Sequence, residues 1–430
     1  MTARLNSRDP AFAAAFDTLV NARRESDAGV RDSVTAIVAD VRARGDIALA
    51  GYTQQFDGHT LDVTGWEVPK ADRRAALDGL DRDLRAALEL AAERIRTFHA
   101  TQVPADRDSV DAQGVRLGAR WRPVDAAGLY VPGGRAAYPS SVLMNALPAK
   151  VAGVGRLTMV TPTPRGEINP LVLAAAEIAG VDQVFRVGGA QAIAALAYGT
   201  ERIAATDVIV GPGNAWVAEA KRQLYGVVGI DMVAGPSEIV VIADAANDPD
   251  WIAIDLLSQA EHDPVSQSIL FTDDAAFGDA VMAAVEARLA TLTTQAVARA
   301  SWSDHGAIIV VPTLDAAIPL IDRLAPEHLE IATADPDALF DRVRHAGSVF
   351  LGRHTPEAVG DYVAGPNHVL PTGRRARFSS GLSALDFMKR TSFLALDERS
   401  IRAIGPAAVT LATAEGLPAH AASVAVRLGR

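Results

Sequence analysis

The strongest constraint on the fold is a regular alternation of short apolar runs with alanine-rich helical segments between Gly128 and Leu351. Strands that alternate with helices in this way are typical of a parallel sheet with helices on both of its faces. The runs that we predict to be strands are Leu157–Thr161, Val184–Val187, Val208–Val210, Ile239–Ile242, Ser268–Thr272, Ala307–Val311 and Ser348–Leu351. The chain is therefore predicted to have an α/β fold.

The alternation is interrupted near residues 230–236, where Asp231, Gly235 and Pro236 separate two series of predicted strands. A chain of 430 residues is also too long for one ordinary hydrophobic core. We therefore predict two Rossmann-like lobes, each built on a parallel sheet. The cleft between two such lobes is where we expect a site.

Helical segments are predicted at both ends of the chain. Apolar residues recur at helical spacing from about Ser33 to Thr101, whereas the strand pattern stops after Pro371. The predicted regions are a mainly helical N-terminal region (1–121) that packs with the second lobe, the first lobe (122–235), the second lobe (236–375) and a helical tail (376–430). Such a tail rarely forms a core of its own, so we expect it to pack on another surface, such as that of a second subunit.

The chain contains no cysteine, which limits its chemistry. Disulfides, thiolate metal ligands and a catalytic thiol are all excluded, so any metal here must be bound by nitrogen and oxygen atoms. An enzyme with this sequence that oxidises an aldehyde cannot do so through a covalent thiohemiacetal. Water must add to the carbonyl instead.

Acidic residues outnumber basic residues by 52 to 41, which gives a net charge of −11. No cluster of Lys and Arg indicates a groove for a phosphate backbone, so we expect no nucleic-acid partner. The first 30 residues lack the apolar stretch of a signal peptide, and no run reaches the roughly 18 apolar residues of a membrane-spanning helix. We expect a cytoplasmic protein without a membrane partner.

Three turns in the first lobe combine a preceding predicted strand, glycines and a following helix. They are Gly128–Arg135, Val187–Ile193 and Val210–Ala215. Glycines at such a turn let the backbone approach the phosphates of a ligand. Each turn alone is more typical of an ordinary tight turn, but three in one lobe favour a nucleotide site.

The usual dinucleotide fingerprint G-x-G-x-x-G is absent, because Gly211-Pro-Gly213 is followed by Trp216 where a third glycine or alanine would stand. A standard Rossmann assignment therefore fails. A dinucleotide bound here would need contacts from the side chains of Tyr130, Gln191 and Asn214.

Polar pairs in the second lobe are candidates for metal and acid–base chemistry. Gln259 and His262 lie three residues apart on one face of a predicted helix, so both can reach one metal ion, although exposed pairs with this spacing are common. Glu327 and His328 are adjacent just after a helix and suit a general acid–base pair. An exposed loop with unrelated side chains is the alternative for them.

Four more residues depend on context. Asp361 lies near His368 and suits a ligand of a metal or of a substrate amine, but a plain helix N-cap is equally compatible with its position. Glu415 and His420 lie in the helical tail, where such residues are ordinarily exposed. Their role depends on what the tail contacts.

Six segments, taken together, resemble histidinol dehydrogenases in order and spacing, and the match covers nearly the whole chain. They are Gly128-Leu-Tyr-Val-Pro-Gly-Gly, Val210-Gly-Pro-Gly-Asn, Ala234-Gly-Pro-Ser-Glu, Asp255-Leu-Leu-Ser-Gln-Ala-Glu-His, Pro326-Glu-His-Leu-Glu and Gly365-Pro-Asn-His-Val-Leu-Pro-Thr. The resemblance implies an NAD-dependent oxidation of L-histidinol through L-histidinal to L-histidine. These are the last steps of histidine biosynthesis.

The resemblance also implies roles for particular residues. It implies zinc bound by Gln259, His262, Asp361 and His420. It implies NAD contacts from Tyr130, Gln191 and Asn214. The implied substrate contacts are Ser237, Gln259, His262, His328, Asp361, Glu415 and His420, and the implied acid–base residues are Glu327 and His328. On this basis 122–235 is the NAD-binding lobe and 236–375 the substrate- and zinc-binding lobe.

Members of the family look like intertwined homodimers in which the tail completes the site of the neighbouring subunit. Two other functions remain open at this stage. A zinc hydrolase would also use a metal, a Glu and a His, but it would turn over without a nucleotide and would not need the glycine turns. A two-lobed binding protein would bind its ligand equally well after Glu327→Gln or His328→Gln, and it would carry a secretion signal that this sequence does not show.

Overall fold

The computed structural model describes residues 2–22, 28–62, 65–133, 138–233 and 235–429. Their strands are β1 (Ala3–Asn6), β2 (Arg107–Val110), β3 (Arg116–Pro123), β4 (Ala126–Tyr130), β5 (Arg156–Val160), β6 (Gln183–Phe185), β7 (Val208–Val210), β8 (Gly229–Ile230), β9 (Glu238–Ala243), β10 (Gln267–Thr272), β11 (Ala307–Val310), β12 (His328–Ala332), β13 (Ser348–Leu351) and β14 (Met388–Ala395).

The α-helices up to the middle of the chain are α1 (Phe12–Asn21), α2 (Ala28–Arg44), α3 (Asp46–Asp57), α4 (Lys70–Asp78), α5 (Arg82–Ala100), α6 (Pro139–Ala152), α7 (Pro170–Ala179), α8 (Gly189–Tyr198) and α9 (Ala215–Leu224). Those that follow are α10 (Pro249–Ala260), α11 (Ala275–Leu289), α12 (Gln295–His305), α13 (Ile318–Leu324), α14 (Pro336–Phe340), α15 (Glu357–Tyr362), α16 (Glu398–Ala414) and α17 (Pro418–Ala425).

The first lobe contains a five-stranded parallel sheet in the order β6-β5-β4-β7-β8. Its central strand β4 is buried at every position. Because helices cover both faces of a parallel sheet, such a strand is apolar on both sides, and its sequence reads as a continuous apolar run. The two faces of this sheet pack into two hydrophobic clusters, one around α6 and α7 and one around α8 and α9.

The second lobe contains a six-stranded parallel sheet in the order β1-β11-β10-β9-β12-β13. Strands β9, β10 and β12 are buried along their whole length. All seven predicted strands are present in the two sheets, and Val208–Val210 and Ser348–Leu351 have the predicted limits. The predicted α/β fold with two parallel sheets is therefore confirmed.

The predicted all-helical tail is wrong at its start, because 376–430 contains the eight-residue strand β14. This strand pairs antiparallel with β3, which also pairs with β2, in a separate three-stranded sheet. Most residues of β14 and all residues of β2 are exposed. A strand held mainly by backbone pairing, with little burial, leaves no apolar periodicity that the sequence could show. The helices α16 and α17 follow as predicted.

The packing of the N-terminal region differs in part from our expectation. Strand β1 joins the second sheet, and Phe16 and Val20 of α1 pack into the core of the second lobe. The apolar faces of α2 and α5, in contrast, pack on the first lobe, with Val34 and Ile95 fully buried there. In the part of the chain that the structure describes, no helix is long and apolar enough to cross a membrane.

Candidate active site

The candidate site is built where β12 and β9 begin side by side. In the register of these parallel strands His328 lies opposite Ile239, so the preceding residues Glu327 and Glu238 are neighbours as well. The Glu238 backbone N–H donates to the Glu327 carboxylate at 3.0 Å, and the hydroxyl of Ser237 donates to the same carboxylate. The structure thus brings Ser237, Glu238 and Glu327 together where β9 and β12 begin.

His328, the first residue of β12, has a defined tautomer. Its Nδ1 lies 3.1 Å from the backbone oxygen of Glu238, and a carbonyl oxygen only accepts, so Nδ1 carries the proton. Nε2 then holds the lone pair, and it is buried without a hydrogen-bond partner among the described residues. Burial, together with the nearby His262 and His368, lowers the pKa of His328 to about 3. The imidazole is therefore neutral, with Nε2 free to accept a proton.

The acid–base pair is more deeply buried than the sequence suggested. Acid–base catalysis is most efficient when the pKa of the catalytic group is near the operating pH, but complete desolvation holds the pKa of His328 lower in this chain. Full burial, with the charges of Glu238 and Asp361 nearby, raises the pKa of Glu327 well above its usual value. A carboxylate with a raised pKa is a stronger base when it is ionised.

Three of the four predicted metal ligands lie together. Gln259 lies in the last turn of α10 and donates from its amide nitrogen to Nδ1 of His262 at 3.0 Å. Asp361 lies on α15, with its carboxylate 3.9 Å from His328 Nε2. Burial raises the pKa of Asp361 to about 6, and the nearby charge of His262 lowers it. Asp361 is therefore a ligand candidate inside the helix, not an N-cap.

Glu357 is a site residue that the sequence analysis missed. Its carboxylate lies 3.3 Å from His328 Nδ1, and neither oxygen has a hydrogen-bond partner among the described residues. Together with His328 and Asp361 it forms a group whose possible ligand atoms all lie within 4.8 Å of one another. The available signal was the spacing of Glu357 and Asp361, because residues four apart share one face of a helix.

The site can hold a divalent cation. Oε1 of Gln259 is buried and unpartnered, like Nε2 of His328 and both oxygens of Glu357. Buried polar atoms without partners are costly, so a cluster of them is explained by a bound group. Nitrogen and oxygen donors without a thiolate suit zinc in a catalytic site. His368 supports this arrangement, since its Nδ1 donates to the backbone oxygen of Asp361 at 3.0 Å.

The three predicted NAD residues lie where strands of the first sheet end. The Tyr130 hydroxyl accepts the N–H of Gly189 at 3.2 Å, and burial raises the pKa of Tyr130 to about 12. Gln191 is buried on α8 with Oε1 unpartnered. Asn214 caps α9 by accepting the backbone N–H groups of Trp216 and Val217. Because the sheet is parallel, its carboxyl edge places all three turns on one side.

Two of the predicted segments extend beyond the described residues. Gly134 and Arg135, which end the first glycine turn, lie outside them, as does Ala234 of the Ala234-Gly-Pro-Ser-Glu segment.

Glu415 and His420 stand apart from the other predicted site residues. Both are exposed, one at the end of α16 and the other on α17. No hydrogen bond or ion pair among the residues that the structure describes joins either side chain to the predicted metal ligands. One chain alone therefore brings together Gln259, His262 and Asp361, but not His420.

Comparison with known proteins gives one consistent result. A family model described as histidinol dehydrogenase matches residues 20–428. Histidinol dehydrogenase from Zymomonas mobilis subsp. mobilis is 64% identical over 430 residues, all of this chain and all of that protein. The enzyme of that name from Rhodospirillum rubrum is 63% identical over 431 residues, which cover 100% of this chain and 99% of the relative. The crystal structure of histidinol dehydrogenase from Elizabethkingia anophelis matches with a TM-score of 0.95 at 36% identity, covering 100% of this chain and 98% of that chain.

Proposed function

The chain belongs to the histidinol dehydrogenase family, and on that basis we propose that it oxidises L-histidinol through L-histidinal to L-histidine with NAD as the hydride acceptor. The observation that carries the proposal is the buried, unpartnered Nε2 of His328 beside Glu327 and the candidate metal ligands. A proton acceptor next to a cation site is what alcohol oxidation requires. The hydrolase and binding-protein alternatives have no comparable support.

We propose that zinc is held by Gln259, His262 and Asp361, with His420 supplied by the tail of a second copy of the chain. When bound, zinc would hold the amino alcohol in position through its amine and imidazole. Ser237, His328 and Glu415 are proposed as further substrate contacts. Tyr130, Gln191 and Asn214 are proposed as contacts to NAD, which puts the NAD-binding lobe at 122–235 and the substrate lobe at 236–375.

In the first step Nε2 of His328 accepts the proton of the substrate's hydroxyl group, while a hydride would leave the carbon that bears this hydroxyl for NAD. The N–H group at Nδ1 keeps its hydrogen bond to the backbone oxygen of Glu238. This bond holds the ring in the orientation in which Nε2 can accept a proton. The ring becomes positively charged in this step. Its Nδ1 lies 3.3 Å from the Glu357 carboxylate and 3.8 Å from that of Glu327. Burial raises the pKa of both carboxyl groups well above the usual value, so each stabilises the charged ring in its ionised form only.

In the second step a water molecule adds to the bound aldehyde. With no cysteine in the chain, a covalent thiol route is closed. Glu327 in its ionised form accepts a proton from this water, while the protonated His328 gives its proton to the carbonyl oxygen, so that the hydrate forms and His328 is neutral again. The buried position of Glu327 makes it a stronger base than an exposed carboxylate. His328 then accepts a hydroxyl proton of the hydrate at Nε2, while a second hydride would leave the hydrate carbon for a second NAD. The acid formed in this way releases its remaining proton to give the carboxylate of histidine.

The test counts NADH by absorbance with purified protein, NAD and histidinol, before and after treatment with a chelator. Two NADH per histidinol, abolished by chelation and restored by zinc, is the expected result. One NADH per histidinol would remove the second oxidation. The absence of NADH formation would overturn the assignment as a dehydrogenase.

The proposed homodimer with shared sites is tested by mixing two inactive variants, His328→Asn and His420→Asn, and allowing their subunits to exchange. If the tail completes the neighbour's site, each mixed dimer contains one intact site, and about a quarter of wild-type activity returns. No recovery after verified exchange would mean that each chain uses its own tail.

The cytoplasmic location expected from the sequence stays a prediction.

A further inference from the structure

A buried ion pair lies behind the glycine turn 211–214 of the first lobe, away from the candidate active site. Lys221 on α9 pairs with Asp231, which follows β8. The two side chains are only 2% and 1% exposed. Desolvating two charges is expensive, and a well-packed apolar pair is often as stable or more stable. The stability of the fold alone therefore does not account for this pair.

The pair binds both backbone polar groups of a single residue. The Gly211 N–H donates to Oδ2 of Asp231 at 2.7 Å, and Nζ of Lys221 donates to the Gly211 backbone oxygen at 3.0 Å. Oδ1 of Asp231 also accepts the N–H of Met232 at 2.6 Å. The ion pair thus acts as a clamp on Gly211, with the carboxylate on one side and the ammonium on the other.

Gly211 connects two of the proposed NAD contacts. Its φ of +116° is accessible only to glycine without strain, and a Cβ at this position would lie 2.1 Å from the backbone oxygen of Tyr130. The backbone of Gly211 therefore lies directly against that of Tyr130. Three residues later, Asn214 caps α9, the helix that carries Lys221.

We infer that the Lys221–Asp231 pair positions the turn 211–214 for the dinucleotide, by fixing Tyr130 and Asn214 relative to each other. Lys221 and Asp231 are positioning residues, because each acts on the turn through Gly211. A displacement of about 1 Å in a positioned group can cost about 100-fold in rate or binding. The inference rests on the proposed function, since it requires that a dinucleotide binds here.

The test uses the full-length, zinc-loaded protein and the variant Lys221→Met. The Kd for NADH is measured by fluorescence titration, and the Kd for histidinol is measured by calorimetry without nucleotide. We expect the NADH Kd to rise about 10- to 100-fold, with zinc content and histidinol Kd unchanged. The matched control is Arg222→Met, the next residue on the same helix, whose ion pair with Glu219 is on the surface. This control should bind NADH like the wild type.

Lys221→Met leaves Asp231 buried without its partner, so the double variant Lys221→Met/Asp231→Asn is measured beside it. The double variant leaves no unpaired charge but lacks the ammonium that holds the Gly211 oxygen. Weakened NADH binding with intact histidinol binding in every variant that folds supports the inference. Wild-type NADH affinity in a folded variant overturns it, and so does an equal loss of both ligands or a failure of both variants to fold. Failure of the wild type to bind NADH would instead refute the proposed function.

Discussion

The partly buried Asp255 and the buried Glu330 form a pair of carboxyl groups that should make the stability of this protein depend on pH. Asp255 lies on α10 and forms a side-chain hydrogen bond with Glu330 on β12, and two carboxyl groups can bond in this way only if one is protonated. Burial raises the pKa of Asp255 to about 6. Burial also raises the pKa of Glu330 well above its usual value, and the like charge of Asp255 adds to this.

The variant Asp255→Asn keeps the shape of the side chain and an oxygen that accepts the hydrogen bond of protonated Glu330, but it cannot ionise. A carboxyl whose pKa is raised by folding stabilises the protein below its unfolded pKa, and this contribution is lost as pH rises through the folded pKa. With a pKa of 3.8 in the unfolded chain and about 6 in the fold, the wild type loses about 3 kcal/mol above pH 6. About half of this loss has occurred by pH 5. The variant should therefore gain on the order of 1 kcal/mol on the wild type between pH 5 and pH 7.5.

The assay is urea unfolding of both proteins at pH 5 and pH 7.5, in chelator, with the free energy of unfolding taken from each transition. The matched control is Asp250→Asn on the same helix. Asp250 is exposed, and its hydrogen bond with Arg288 lowers its pKa, so its replacement should bring no gain at the higher pH. If Asp255→Asn gains nothing on the wild type between the two pH values, the carboxyl pair does not carry the pH dependence and the reasoning fails.

Three further results are expected. His328→Asn should lower kcat by about 100- to 10,000-fold with unchanged zinc content, because it removes the Nε2 acceptor; activity near wild type would exclude this base. Glu357→Gln should lower zinc affinity by about 10- to 100-fold in competition with a chelator, and an unchanged affinity would remove Glu357 from the site. Trp302→Ala, at a fully buried position, should cost about 3–5 kcal/mol in urea unfolding but leave NADH binding intact, and a cost below about 1 kcal/mol would contradict its place in the core.

The residues of the candidate site were predictable to different degrees. Adjacent Glu327 and His328 were visible as an acid–base pair, and Gln259 and His262 as a pair on one helix face. Glu357 could not be identified from the sequence. Its spacing of four residues from Asp361 places both on one helix face, but exposed acidic pairs with that spacing are common on helices. Only burial of both its oxygens next to His328 distinguishes it from such a pair.

The two parallel sheets could be predicted from the sequence, because a strand that is buried on both faces is mostly apolar, as Ile239–Ile242 and Val208–Val210 are. The sequence did not determine β14, since an exposed strand that is held by backbone pairing with β3 places no apolar demand on its side chains.

The chemistry of the site, in contrast, depends on contacts between residues that are far apart in the sequence. The tautomer of His328 depends on the backbone oxygen of Glu238, which is 90 residues away in sequence, and its low pKa depends on burial among elements that are distant along the chain. The clamp on Gly211 likewise joins residues up to 20 positions apart. Desolvation and hydrogen bonding act between groups that are close in space, and a one-dimensional pattern records their identity but not their proximity.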